Sequence, residues 1–309
     1  MYYKQANIVI IGAGRIAVSI LNGLINAQLN IQSVISKKVN SAEQLAKKFS
    51  VEHYSNNLSQ IKEDANLFLL TVPDNQILSV AVQIEKLNVN FQDSLFVHFS
   101  GALSSSILDD LKNKGAATAS FHIMQSFPTK NIVKLNNLTV AVETDSEKSE
   151  KFLFFLADKL KMNPFKLFKE DKVNYHLSGV YSSNFFVGNL LSANSVIQDN
   201  KTDYPNFDEL ILPIVTTTLN NIKLKGLDGS LSGPIQRGEL EVIKKHIEKL
   251  KNTDNKKFYI DDKNIFLLNY VCQSITILMM LANNGTELND NQKKLYNFLI
   301  NEFQALIKN

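Results

Sequence analysis

Between residues 7 and about 142, short β-branched runs alternate with stretches of helical periodicity, and few folds accept that alternation. Each helix carries the chain back to the same end of the sheet, so the strands run parallel and the helices cover the sheet. The pattern predicts strands over 7–11, 31–35, 67–71, 95–99, 118–121 and 138–142. Helices are expected to start near Arg15, Ser41, Asp74 and Ser104, each close to a small or polar residue that can satisfy free helix N–H groups. The outcome is a doubly wound sheet, which binds ligands outside the carboxyl ends of its strands.

After a further helix over 146–161 and a strand-like 164–168, the pattern changes. Helical periodicity occupies 171–199, 206–224, 236–251, 262–283 and 289–308, and the polar stretch 251–257 reads as a loop. The expected architecture is α/β: a doubly wound domain over 1–168 followed by an all-helical domain over 169–309. The helices over 206–224 and 262–283 are more apolar than one small domain's exterior should be, which makes a homodimer the expected assembly.

Composition removes several function classes. With 44% hydrophobic and 20% charged residues the chain can build a sizeable core. A net charge of +3, with basic and acidic residues interspersed, is too small for a nucleic-acid surface. Cys272 is the single cysteine, which excludes an intramolecular disulfide and a Cys-based zinc cluster and fits a reducing cytoplasm. No metal site is expected, since neither a zinc nor a calcium ligand spacing occurs. No signal-peptide core opens the sequence, and the apolar stretch 275–282 falls short of a membrane span, so no membrane partner is expected.

The first strand runs into Gly12-Ala13-Gly14-Arg15-Ile16-Ala17, a G-x-G-x-x-A turn opening an apolar-periodic helix. Gly12 serves the tight turn, Gly14 lets backbone approach a pyrophosphate, and Ala17 lets the helix pack closely on the strand. The second strand ends in Ser36-Lys37-Lys38, where an NAD site would carry an acidic residue, so NADP(H) is the expected cofactor. Arg15 can face a phosphate oxygen or simply cover the helix surface. Val72-Pro73 and Ser100-Gly101, at two further strand ends, are expected to line the rest of the cofactor site, with Asp74 reading as a helix N-cap.

Further runs complete the pattern: Thr71–Asp74, His98-Phe99-Ser100-Gly101, Ser120 to Phe127, Tyr175-His176 through Ser183-Asn184-Phe185, and Leu231 to Glu239 with Gly233-Pro234-Ile235-Gln236-Arg237-Gly238-Glu239. Their order resembles the Rossmann-like oxidoreductases with a helical C-terminal domain of formerly unknown function, relatives of pyrroline-5-carboxylate and ketopantoate reductases. The resemblance implies a 6-phosphogluconate-dehydrogenase-like fold and an NADP-dependent reductase. Its expected substrate is a 2-oxo acid, with 2-dehydropantoate, the precursor of pantoate in coenzyme A synthesis, as the foremost candidate. A cyclic-imine reductase and a non-catalytic NADP(H) sensor are the alternatives.

Reduction of an oxo acid needs a proton donor and a carboxylate anchor. Histidine titrates near neutrality, so His176 is the candidate proton donor, with Asn184 and Ser183 orienting the carbonyl and Ser126 near the substrate. An offset of seven puts His176 and Ser183 on one helix face, and Gly179 leaves either a ligand notch or a close packing point between them. Related ketopantoate reductases use a lysine on the corresponding helix. No lysine occurs between 173 and 200, so a different acid is expected here. Of 33 basic residues only Arg15 and Arg237 are arginines. Arg237 is the candidate carboxylate anchor, because a planar guanidinium can grip a carboxylate through two bonds where lysine cannot, with Glu239 pairing with it or binding a substrate hydroxyl. His98, His122 and His246 can each be read as site or structural histidines.

Overall fold

The computed structural model describes residues 6–198, 202–252, 265–283 and 287–308. In chain order the first part comprises β1 (Ile8–Ile11), α1 (Arg15–Asn26), β2 (Ile31–Ile35), α2 (Val39–Lys48), β3 (Tyr54–Ser55), β4 (Leu67–Leu70) and α3 (Asp74–Ile84). β5 (Leu95–His98), α4 (Asp109–Asn113), β6 (Ala117–Ile123), β7 (Thr139–Glu143), α5 (Glu147–Lys159) and β8 (Asn163–Lys166) follow. The eight strands form one sheet in the order β3-β2-β1-β4-β5-β6-β7-β8. Every pairing is parallel except that of β6 with β7, where His122 stands opposite Ala141.

β1 and β4, paired inside the sheet, are apolar at every position because both faces are covered. Along β4, Leu67 and Leu69 enter one core with α1, α2 and α5, while Phe68 and Leu70 enter the other with α3 and α4. Each such side chain, fully buried, contributes roughly 1.5–3 kcal/mol. β3 alone goes beyond the strands expected, the strand-like 164–168 being β8. β3 has only two residues, too few to show a period, and β8 is an edge strand that tolerates Pro164.

Contacts divide the chain into two compact units, the first ending at Phe185 and the second starting at Phe186, so 169–185 belong with the sheet. The continuous helix expected over 171–199 is broken. α6 (Lys172–Gly179) passes into a π-helical segment, Val180–Phe185, before α7 (Phe186–Gln198). In the second unit the expected helix over 206–224 splits at Ile211 into α8 (Phe207–Leu210) and α9 (Leu212–Lys225). The helix expected over 236–251 is likewise two, α10 (Pro234–Arg237) and α11 (Leu240–Lys251), because Gly238 takes a left-handed conformation between them. α12 (Ile265–Asn283) and α13 (Asp290–Lys308) complete it. Most of the loop read over 251–257 lies outside the described residues.

The apolar run at 275–282 is part of something longer than its composition suggested. α12 is one 19-residue helix with mean hydropathy 1.9, long and apolar enough to cross a membrane. Leu267, Val271 and Leu278 on one of its faces are buried with Ile243 and Ile247 of α11 and Leu295 and Leu299 of α13, and 22% of the apolar stretch is buried in all.

Candidate functional site

The turn after β1 is drawn tight against the end of β4. Gly12 has φ +112°, and a β-carbon there would lie 2.8 Å from the Thr71 carbonyl carbon and oxygen. Thr71 closes the junction from its side, its hydroxyl donating to the Gly12 carbonyl at 2.8 Å. Gly14 precedes α1 and no side chain caps the helix, nor does its first turn carry an acidic residue. A twelve-residue helix therefore points uncapped N–H groups and the positive end of its dipole out of the turn. Ala13 and Ile16 pack into or against the core, whereas Arg15 is exposed and donates to the Pro128 carbonyl at 3.3 Å. At the end of β2, the Ser36 N–H donates to the Ser55 carbonyl and Lys37 and Lys38 are exposed. Val72 packs on the second core and Pro73 precedes α3. These residues fit a dinucleotide: a close-approach turn, an uncapped helix start and a cationic second-strand end.

Of the expected catalytic and substrate residues, Ser126, His176, Ser183 and Asn184 come together on the first unit. His122, Met124, Gln125 and Ser126, from the end of β6 onward, share one cavity of about 420 Å³ with His176, Gly179, Ser183 and Asn184. His176 and Ser183 reach it across the α-to-π transition, and not along one straight α-helical face as their spacing implied. Gly179 is a packing point: a β-carbon there would meet Met124 Sδ at 3.0 Å. His122 is hydrogen-bonded through Nδ1 to the Tyr175 hydroxyl at 3.0 Å. Burial, helped by the Lys172 charge, holds this imidazole down at about 4, so it is neutral at physiological pH. The Tyr175 hydroxyl is pushed up to about 12 by burial and stays protonated.

Behind these groups lies a polar cluster that sequence reasoning missed. The helix of His176 does begin with a lysine, one residue upstream of the stretch that lacks them. Lys172 is 1% exposed, and its ammonium donates to the Ser120 hydroxyl at 2.6 Å and the Ser100 carbonyl at 3.0 Å. Burial lowers it to about 8, while Glu143 and Asp74 oppose that shift. Glu143, also buried, accepts from the Ser105 N–H and hydroxyl at 2.7 and 2.8 Å. Asp74 is the first residue of α3 and not its cap. Its carboxylate accepts from the Ser100 hydroxyl at 2.6 Å. His98, wholly buried, is held down at about 3 by desolvation and by Lys172, and its Nδ1 accepts the Ser100 N–H. One lysine among 31 carries no mark in the sequence except its offset of four from His176, which puts both on one helix face.

Arg237 and Glu239 lie in the second unit and pair with each other, through Nε to Oε1 at 2.7 Å and Nη2 to Oε2 at 3.2 Å. Of their two expected roles, the geometry has the exposed ion pair. His246, exposed on α11, bonds the Tyr270 hydroxyl at 2.9 Å.

Residues 3–123 match the family model of a Rossmann-like domain, and 138–261 that of a domain of unknown function, DUF2520. No curated protein sequence matches the chain. Among solved structures, the chain is similar to protein BF3122 from Bacteroides fragilis, at 24% identity and TM-score 0.70, with 88% of this chain and 98% of that chain covered. A reductive aminase from Aspergillus terreus, in complex with NADPH and ethyl-5-oxohexanoate, is 10% identical with TM-score 0.58, over 98% of this chain and 95% of its own. A pyrroline-5-carboxylate reductase from Coxiella burnetii is 15% identical with TM-score 0.55, over 98% and 99%. The chain shares their fold, a Rossmann-like domain followed by a helical region.

Proposed function

We propose that the chain is an NADP(H)-dependent reductase of a small oxo acid, with 2-dehydropantoate as the first substrate to test. The observation that carries this reading is the cavity uniting His122, His176, Ser183 and Asn184 on the unit that holds the Gly12–Gly14 turn. The likeness to an NADPH-bound reductive aminase supports the cofactor assignment, together with Ser36, Lys37 and Lys38. The uncapped start of α1 and the turn around Gly14 would hold the pyrophosphate, and Ser36 and Lys37 the 2′-phosphate. When bound, NADPH supplies a hydride.

The protein's own task is then to orient and protonate the acceptor. His176 acts as proton donor, while Ser183 and Asn184 orient the carbonyl and Ser126 lines the cavity beside them. His122, neutral and tethered by Tyr175, is a hydrogen-bond partner to the reacting oxygen, because an imidazole held at about 4 has no surplus proton at pH 7. Arg237, freed from Glu239, is the carboxylate anchor of this reading.

A cyclic-imine reductase is the second reading, favoured by the likeness to pyrroline-5-carboxylate reductase. Loss of nicotinamide absorbance with NADPH and 2-dehydropantoate tests the first reading, and turnover no faster than the protein-free control rules it out. Comparing kcat/KM for pyrroline-5-carboxylate separates the two. Tight NADPH binding without reduction of either compound favours a sensor. In the catalytic readings His176→Ala lowers kcat and changes the pH–rate profile.

Exposed Val187 on α7 and Ile214 and Leu224 on α9, the last two 65% and 78% exposed, support a homodimer, which light scattering on the purified chain tests. Cys272 as the single, free thiol fits a reducing cytoplasm.

A further inference from the structure

We propose that Lys172 is a positioning residue: its ammonium, held between the Ser120 hydroxyl and the Ser100 carbonyl, fixes the Ser100–Gly101 peptide on which the cavity's two imidazoles are seated. The inference rests on the reductase reading of that cavity.

Ser100 is tied at every polar atom. Its N–H donates to His98 Nδ1, and its hydroxyl donates to Asp74 while accepting the Ala102 and Leu103 N–H groups at 3.2 and 3.0 Å. Its carbonyl accepts from both Lys172 at 3.0 Å and Ser120 at 3.1 Å. The bonds come from β5, from the start of α3, from β6 and from α6, so Ser100 is the point where four elements agree on one position. Lys172 is the only one of these partners on the helix that also carries His176.

The next residue transmits that position to the cavity. A β-carbon on Gly101 would stand 2.7 Å from His122 Nε2 and 2.7 Å from His176 Cδ2, so both rings rest against its backbone. The ring centroids of the two histidines are 6.4 Å apart. Moving the Ser100–Gly101 peptide therefore moves the surface that spaces them. Lys172 does not line the cavity, so it acts on bound substrate only through this peptide and through its charge. The charged and titratable groups around it are Glu143 and Asp74, which favour the ammonium, and His98 and His122, whose protonation it opposes. A buried ammonium is costly unless its donors are used, and here two of three are used, one on the Ser100 carbonyl and one on the Ser120 hydroxyl that itself donates to that carbonyl.

The chain has five histidines, His53, His98, His122, His176 and His246, so imidazole NMR resolves the effect directly. The experiment compares the wild-type chain with Lys172→Met and with Ser120→Ala, which removes one link and leaves the lysine. In Lys172→Met the His98, His122 and His176 signals are expected to shift while His53 and His246 stay. His122 is expected to titrate about one pH unit higher once the cation is gone. With whichever substrate the wild type reduces, kcat falls at least about tenfold while the KM for NADPH stays within about twofold. Ser120→Ala gives the same pattern, smaller, and decides the matter should Lys172→Met fail to fold. Unmoved His122 and His176 signals, or an unchanged kcat, overturn the proposal. A wild type that reduces nothing removes the reductase reading, and the imidazole signals then still decide whether Lys172 sets the two rings.

Discussion

Gly101 and His122 are in such close contact that a β-carbon on the glycine would lie 2.7 Å from the imidazole Nε2. Neither neighbour can yield freely, because His122 is tethered to Tyr175 and Gly101 follows the fully bonded Ser100. Gly101→Ala is expected to destabilise the fold by about 1–3 kcal/mol through overpacking. It should also lower turnover more than it lowers NADPH affinity. Urea unfolding and steady-state kinetics check the two effects separately, and an alanine variant with wild-type kcat would dissociate this contact from catalysis.

Gly12 and Gly14 differ in how much they can tolerate. A Gly12 β-carbon meets Thr71 backbone at 2.8 Å with φ +112°, whereas one at Gly14 reaches the Thr71 oxygen at 3.3 Å. Backbone cannot swing aside as a side chain does. Gly12→Ala is expected to weaken NADPH binding by about tenfold or more, and Gly14→Ala by less if only steric fit to the turn matters. Fluorescence titration with NADPH gives both values. A larger loss at Gly14 would mean that the pyrophosphate lies directly on that residue.

The second-strand end makes a separate expectation about cofactor choice. Replacing Lys37 and Lys38 by glutamate is expected to lower NADPH affinity by about tenfold while leaving NADH affinity nearly unchanged, since only NADPH carries the 2′-phosphate. Parallel titrations with the two cofactors measure the ratio. Equal losses for both would assign the lysines to general electrostatic attraction.

Acid should destabilise the first unit through its buried histidines. His98 and His122 are held at about 3 and about 4, chiefly by burial, whereas an unfolded histidine titrates near 6.5. The unfolded chain thus binds more protons between about pH 4 and 6.5. Stability from these groups is complete above 6.5 and is lost as the pH falls through that window. The loss is on the order of 2 kcal/mol per histidine. Urea unfolding from pH 7 to 4.5 measures it, and His122→Gln should have a shallower pH dependence than the wild type. Identical slopes would mean that His122 titrates in the fold as it does in the unfolded chain.

Arg237 and Glu239 hold each other through two hydrogen bonds on the surface of the second unit. If the guanidinium anchors a substrate carboxylate, Glu239→Gln releases it and lowers the KM for the oxo acid several-fold. Arg237→Lys then raises that KM without changing NADPH affinity. As a plain exposed pair the two would contribute at most about 1 kcal/mol to stability and nothing to KM. Kinetics on the two variants decide between these roles.

How much was legible in advance varied with the range of the interaction. The parallel strands and the Gly12–Ala17 turn were readable because their period and their glycines are local properties. His176, Ser183 and Asn184 were readable as a set because they sit on one short stretch. Lys172 was not: nothing within the stretch Lys169-Glu170-Asp171-Lys172 distinguishes a buried lysine from three exposed polar neighbours. Asp74 read as a cap for the same reason, since its bond to Ser100 spans 26 residues.

The amino-acid sequence by itself thus determined the doubly wound sheet, the helical second half and the turn fitted to a dinucleotide. Each follows from propensities and spacings that act over a few residues. Tertiary structure decided what stands behind the cavity. A buried ammonium is stable only where folding delivers Ser100 and Ser120 to its donors and brings Glu143 and Asp74 within reach of its charge, and those partners come from separate strand ends and a helix start. It likewise decided the neutrality of His98 and His122, because desolvation is a property of the surrounding core and no residue carries it alone.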